Sequence, residues 1–282
     1  MAEVQPPTVR LICDASAVIG ESPAWQHDCV HWTDPVSQRL LRVVNNEAFE
    51  SIAMASSVWS LGALPDGALA GALDDRFCAI GSSGEISAGP EAKIDSGCRF
   101  NDMTVDPRGG VWVGMMHRGI LATRGAIFHA RSLRERPTRV AHGLGVPNGM
   151  KLSADGRTLF VIDTLERTLL AYPVDHGALG GGLGEPVIVS DFLGLSGKPD
   201  GMTLAPDGSF WVAMWGGSCV VQIAGNGAML RRIAVPAPHV SSLCFAGPDR
   251  LLVTTSRMRL SPQALLDHPG SGGLFEILLE RV

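Results

Sequence analysis

Two distant segments of this chain, GVPNGMKLSADG at 145–156 and GKPDGMTLAPDG at 197–208, share the form xP(N/D)GMxLxxDG. Asn148 and Asp200 therefore stand at equivalent positions. Glu21 in GESPAW and Asn101 in CRFNDMTVDP occupy comparable places in two further segments. Together they would form an oxygen-rich site for one divalent cation: two carboxylates neutralise the ion, and amide oxygens complete the shell without adding like-charge repulsion. Ligand type alone suits Ca2+, Mg2+ or Mn2+ best, with Zn2+ and Fe2+ still open. Each residue also has a plainer role available. Glu21 could be a strand-end surface carboxylate, and Asn148 and Asp200 could close turns through their own backbone, as Asx residues before Gly commonly do. Three segments of similar local form favour the shared site.

Residues so far apart in sequence need a scaffold that brings equivalent positions together. Six clusters of turn residues, near His27, Pro65, Pro107, Ala154, Pro206 and Gly247, each precede a short apolar strand. Their spacing of roughly 40 to 50 residues is what a four-stranded antiparallel blade requires. The expectation is an all-β, six-bladed β-propeller in which the innermost strand of each blade faces a common axis. Residues 1–282 form one domain on this reading, because no linker-like tract interrupts the repeats. The strand-like TVRLICD at 8–14 is expected to pair with the C-terminal LFEILLE, closing the ring and hiding two sheet edges. A β-sandwich with Gly- and Pro-rich turns is the competing architecture.

Within the repeats, Val111, Val113 and Met115, and likewise Phe210, Val212 and Met214, alternate as one face of a strand. Trp59, Trp112 and Trp211 read as packing between blades. Trp215, at a strand end before Gly216 and Gly217, reads instead as a wall of the pocket. DHGALGGGLGEP at 175–186 reads as a mobile loop, since its glycines lack phosphate-cradle spacing and no helical pattern follows.

The balance of 23 Lys and Arg against 28 Asp and Glu, without a basic stripe, argues against nucleic acid as the main partner. No apolar run is long enough to span a bilayer, and the N-terminal residues lack the pattern of a signal peptide. Six widely separated cysteines without CxxC spacing read as buried thiols in a reducing, cytoplasmic compartment. A monomer is expected, because ring closure hides the sheet edges.

No GxSxG, HExxH or HxH pattern occurs. His117, His142 and His239 lie near the candidate mouth segments, with His117 and His239 the better placed to shape a pocket. Ser241 and Ser242 read as part of the sixth inner turn and as candidates for lining it.

GESPAW, RFNDMTVDPRGGVWVGMM, PNGMKLSADGRTLFVIDT and KPDGMTLAPDGSFWVAMW resemble segments of the senescence marker protein-30/gluconolactonase family of metal-dependent lactonases. The resemblance extends over roughly residues 10 to 280. It implies one divalent metal at the channel mouth, held by Glu21, Asn148 and Asp200, with Arg99 and Asn101 contacting substrate. It also implies that the cation polarises a lactone carbonyl while Asp200 orients or deprotonates water and Arg99 binds ring oxygens. Two departures stand out. The family commonly reads NDG where this chain has Asn101, Asp102 and Met103. Where some sugar lactonases supply an acidic residue for substrate hydroxyls, this chain reads His117, Arg118 and Gly119.

The leading expectation is hydrolysis of a small sugar-acid lactone of the gluconolactone type. A second reading is hydrolysis of another activated ester, such as a phosphotriester, for which Trp215 and Met116 would give a less polar mouth. The third is a metal-stabilised propeller that binds a metabolite or protein partner without catalysis.

Overall fold

The computed structural model describes residues 7–45, 47–175 and 182–279, and among these it is all-β apart from one short helix, Pro262–Asp267. Four sheets are separate. The first runs outward through Glu21–Gln26, Cys29–Asp34, Arg39–Val44 and Ala48–Ala53; the second starts at Ser60–Ala63, the third at Cys98–Val105 and the fourth at Pro147–Leu152. The first three are antiparallel meanders, and in the fourth Thr168–Asp175 pairs with Thr158–Asp163, Gly182–Leu183 and Val187–Asp191.

A ring of six separate four-stranded blades is not what the chain builds. Its fifth sheet has eight strands, because Trp215 and His239 pair directly and join the last two repeats into one curled surface. The architecture is thus four small blades plus this larger sheet. At the edge of the larger sheet Thr8–Cys13 pairs with Leu274–Leu278, Thr8 opposite Leu278. Residues 1–6, 280–282 and 176–181, the last within the expected loop at 175–186, lie outside the described residues.

The recurrent turns have a local cause. Asp66, Asp106, Asp155 and Asp207 each accept a backbone N–H two residues ahead. Gly67 and Gly208 then take φ of +83° and +81°, a region that costs glycine little. Strand alternation serves two cores rather than a core and solvent. Val111, Val113 and Met115 pack into the core shared with Phe77 and Phe100, whereas Trp112 on the opposite face joins Leu159 and Tyr172. Phe210, Val212 and Met214 similarly face one neighbour and Trp211 the other. Blades stacked on both faces bury strands on both faces, so Val111–Met116 is buried throughout.

The inner strands follow one another around an axis. Glu21–Gln26 lies beside Ser60–Ala63, which neighbours Cys98–Val105; Pro147–Leu152, Lys198–Leu204 and His239–Phe245 follow, and the last returns to Glu21–Gln26.

Candidate active site

The starts of these inner strands converge at one end of the axis, and most carry a β-bulge there. Pairing registers shift between Glu21 and Ala24, Phe100 and Met103, Asn148 and Lys151, Pro199 and Met202, and Val240 and Ser242. An extra residue in a strand re-aims its neighbours, which turns polar side chains out of the strand's regular alternation. Close approach of the strands is permitted by glycine. A Cβ on Gly149, at φ +49°, would meet the Asp200 carbonyl oxygen at 2.8 Å, and one on Gly201 would meet Ser242 Cα at 2.6 Å.

This geometry assembles a directed chain of hydrogen bonds. Arg99 Nη1 donates to Asn101 Oδ1 at 2.8 Å, Asn101 Nδ2 donates to Asn148 Oδ1 at 2.8 Å, and Asn148 Nδ2 donates to Asp200 Oδ1 at 2.5 Å. Thr164 braces it, accepting from Asn148 Nδ2 at 3.1 Å and donating to the Pro199 carbonyl at 2.8 Å. Four of the expected site residues are therefore one network. Glu21 belongs to the same centre electrostatically. Its carboxyl is pushed well above the usual range by burial and then by the nearby Asp200 and Asp102 carboxylates. Burial and Asp102 likewise raise Asp200.

A divalent cation fits this donor set. Acids gathered in a low-dielectric site resist ionising together, and a hard cation beside Glu21 and Asp200 would offset that repulsion. Asn148 Oδ1 keeps a second lone pair beyond the bond from Asn101. Among the described residues no group of three His, Cys, Asp or Glu side chains is poised around a common point, so a neutral amide oxygen is needed to complete any such site.

Asp102 is the candidate residue that the segment pattern did not single out. It occupies the position held by Gly149 and Gly201 in the other segments, and a charge where the repeats place glycine was the available signal. Its Oδ1 accepts from Ser60 Oγ at 2.8 Å, Ser22 Oγ at 3.2 Å and its neighbour's N–H on Met103 at 2.8 Å, while Oδ2 accepts from Met150 N at 3.4 Å. One carboxylate thereby links four inner strands.

Trp59 departs from the packing role expected of it. Whereas Trp112 and Trp211 are buried in interblade cores, Trp59 sits half-exposed at the mouth, with Arg99 Cζ 3.6 Å from its ring centroid and its Nε1 donating to Asp74 at 2.7 Å. Its place at the start of an inner strand puts it at the rim. Trp215 stacks on His239 at 4.4 Å between centroids, also at the mouth end. His117 reaches the rim, but its Nδ1 accepts the Gly119 N–H at 3.0 Å and its ring lies against Gly97, outside the Arg99–Asp200 network. His142 is on an exposed outer strand, away from the axis. Ser241 and Ser242 are buried rather than lining open space; Ser241 Oγ donates to the Gly20 carbonyl at 2.5 Å, immediately before Glu21. Met116 is buried as well and does not make the mouth apolar.

Residues 19–257 match the family described as SMP-30/Gluconolactonase/LRE-like region. The chain belongs to this family. Family relatives include the pentonolactonase XacC of Haloferax volcanii, 32% identical over 88% of this chain and 85% of that protein. A 6-deoxy-6-sulfogluconolactonase of Pseudomonas putida is 26% identical over 95% and 94% of the two chains. In three dimensions the fold superposes on the crystal structure of a calcium-binding protein, regucalcin, from Agrobacterium tumefaciens with a TM-score of 0.86, at 27% identity and covering 100% and 98%. The match thus spans the three segments that build the Arg99–Asp200 network and the segment that carries Glu21.

Proposed function

We propose that this chain is a metal-dependent hydrolase that opens a small sugar-acid lactone to its open-chain acid. The continuous hydrogen-bonded path from Arg99 through Asn101 and Asn148 to Asp200, with Glu21 beside it, carries the reading. It is supported by relatives named for lactone hydrolysis, one on a pentonolactone and one on a sulfonated gluconolactone.

Glu21, Asn148 and Asp200 would hold one divalent ion, with calcium, manganese, magnesium, zinc and ferrous iron as the candidates. When bound, the ion supplies positive charge that polarises the lactone carbonyl and stabilises the oxyanion formed on attack. Asp200 has one oxygen committed to Asn148, and its other oxygen takes the proton of the attacking water. The water oxygen bonds to the carbonyl carbon; the bond from that carbon to the ring oxygen then breaks, and the proton passes from Asp200 to the departing oxygen. Arg99, held over Trp59, binds the lactone oxygens, while Asn101 fixes the guanidinium and Asn148 together. Trp215 supplies an apolar wall and His117 shapes the rim. The protein acts on this reading in the cytoplasm, supported by six free cysteines, and as a monomer.

Release of acid from five- and six-membered sugar lactones, measured on metal-stripped protein and after adding each cation, tests the proposal. Turnover restored by one or more cations is expected; binding of cations without turnover on any lactone overturns it.

A further inference from the structure

The rim of the mouth carries a second arginine. Arg118 is 46% exposed, its Nη2 lies 2.7 Å from Asp74 Oδ2, and its Cζ is 6.0 Å from the Trp59 ring centroid. Arg99 lies closer to the same indole. The other Asp74 oxygen is taken by Trp59 Nε1. One carboxylate thus serves an indole and one arginine, and among the described residues no carboxylate lies within ion-pair range of Arg99.

Backbone geometry fixes this arrangement. Arg118 N donates to the Gly97 carbonyl at 2.8 Å, which holds the turn where Val111–His117 ends beside the start of Cys98–Val105. The two guanidinium groups are close enough that burial first, and then Arg118, lower the Arg99 pKa to about 10. Guanidinium groups donate and never accept hydrogen bonds, so such a rim favours an acceptor-rich anion over a neutral hydroxyl, which both donates and accepts. A phosphate, sulfonate or carboxylate could take charge-assisted hydrogen bonds from both guanidinium groups, only one of which is paired with Asp74.

We propose that Arg118, on the rim beside Arg99, makes a specificity site for lactones bearing an anionic substituent remote from the ring carbonyl. This rests on the lactonase reading for its catalytic consequence, while the preference for the anion is a property of binding and can be measured separately.

The experiment compares D-glucono-1,5-lactone with its 6-phosphate, corrected for spontaneous hydrolysis, in the metal-loaded wild-type protein, R118Q and R118E. Binding of gluconate and 6-phosphogluconate to the same proteins is measured by calorimetry. The wild type is expected to favour the phosphorylated lactone and product by roughly tenfold, chiefly through KM and Kd, consistent with a partly exposed charge pair. R118Q should remove most of that ratio, R118E should invert it, and raised salt should shrink it. Equal kcat/KM and equal Kd for neutral and phosphorylated forms in the wild type overturn the inference, as does a ratio unchanged in R118Q. If neither lactone is turned over, the lactonase reading fails, yet a phosphate preference in calorimetry that R118Q abolishes still supports the rim.

Discussion

Asn148 donates its side-chain amide to Asp200 Oδ1 at 2.5 Å across the junction between the fourth blade and the eight-stranded sheet. The same amide's oxygen accepts from Asn101, so Asn148 fixes the carboxylate on one side and the Arg99–Asn101 pair on the other. D200N removes the carboxylate proposed as proton acceptor while keeping a side chain of similar shape. Turnover should fall roughly a hundredfold or more with KM changed only a few-fold. Steady-state kinetics at saturating cation decides this, and unchanged kcat would remove Asp200 from its role as base.

Gly201 is required by contact rather than by backbone freedom. An added Cβ would lie 2.3 Å from Ser242 Oγ and 2.6 Å from Ser242 Cα. G201A should therefore push two inner strands apart, lowering stability by about 1–3 kcal/mol and turnover with it. Gly208, at φ +81° with open space around its Cα, provides the comparison. G208A should lose about 1 kcal/mol through backbone strain alone and keep its turnover. Urea melts and kinetics on both variants separate the two effects.

Asp34 ties the first blade to the segment that leads into Glu21. Its buried carboxylate accepts from Val18 N at 3.0 Å, Ile19 N at 3.3 Å, Ser37 N at 3.2 Å and Arg39 Nη2 at 2.8 Å. Burial pushes its pKa upward, but Arg39 and the donated hydrogen bonds outweigh that and hold it below the ordinary 3.8. A depressed folded value means the stabilisation is complete above the unfolded pKa and is lost as pH falls through the folded one. D34N should cost about 1.5–3 kcal/mol near neutral pH. That difference from wild type should narrow once the pH drops below 3.8, as read by denaturant melts across the acid range.

Glu276, 1% exposed, receives close ion-pair contacts from both Arg10 and Arg250. It lies on Leu274–Leu278 between Thr8–Cys13 and Arg250–Ser256 and so joins the two ends of the chain. E276A should destabilise the fold by roughly 3 kcal/mol, because it takes the carboxylate from a largely buried Arg250. R10A should cost well under about 1 kcal/mol, since that side chain is 61% exposed. Equal losses in the two variants by urea melt would contradict this asymmetry.

The chain's own residues determined much of this protein. Its spaced Asp-Gly turns specify short antiparallel strands, because the Asp side chain and the left-handed glycine close each turn locally. Shared segment form made Asn148 and Asp200 legible as partners, since equivalent positions around an axis meet. Local pattern could not show that Trp215 and His239 would pair and fuse two repeats into one sheet, because that contact depends on how neighbouring units are rotated together. Nor could it show that Asp102 binds four inner strands, or that Trp59 carries Arg99 instead of packing between blades. Those roles arise from bulges and from strand approach, which set where a side chain points only after the units have closed around their axis.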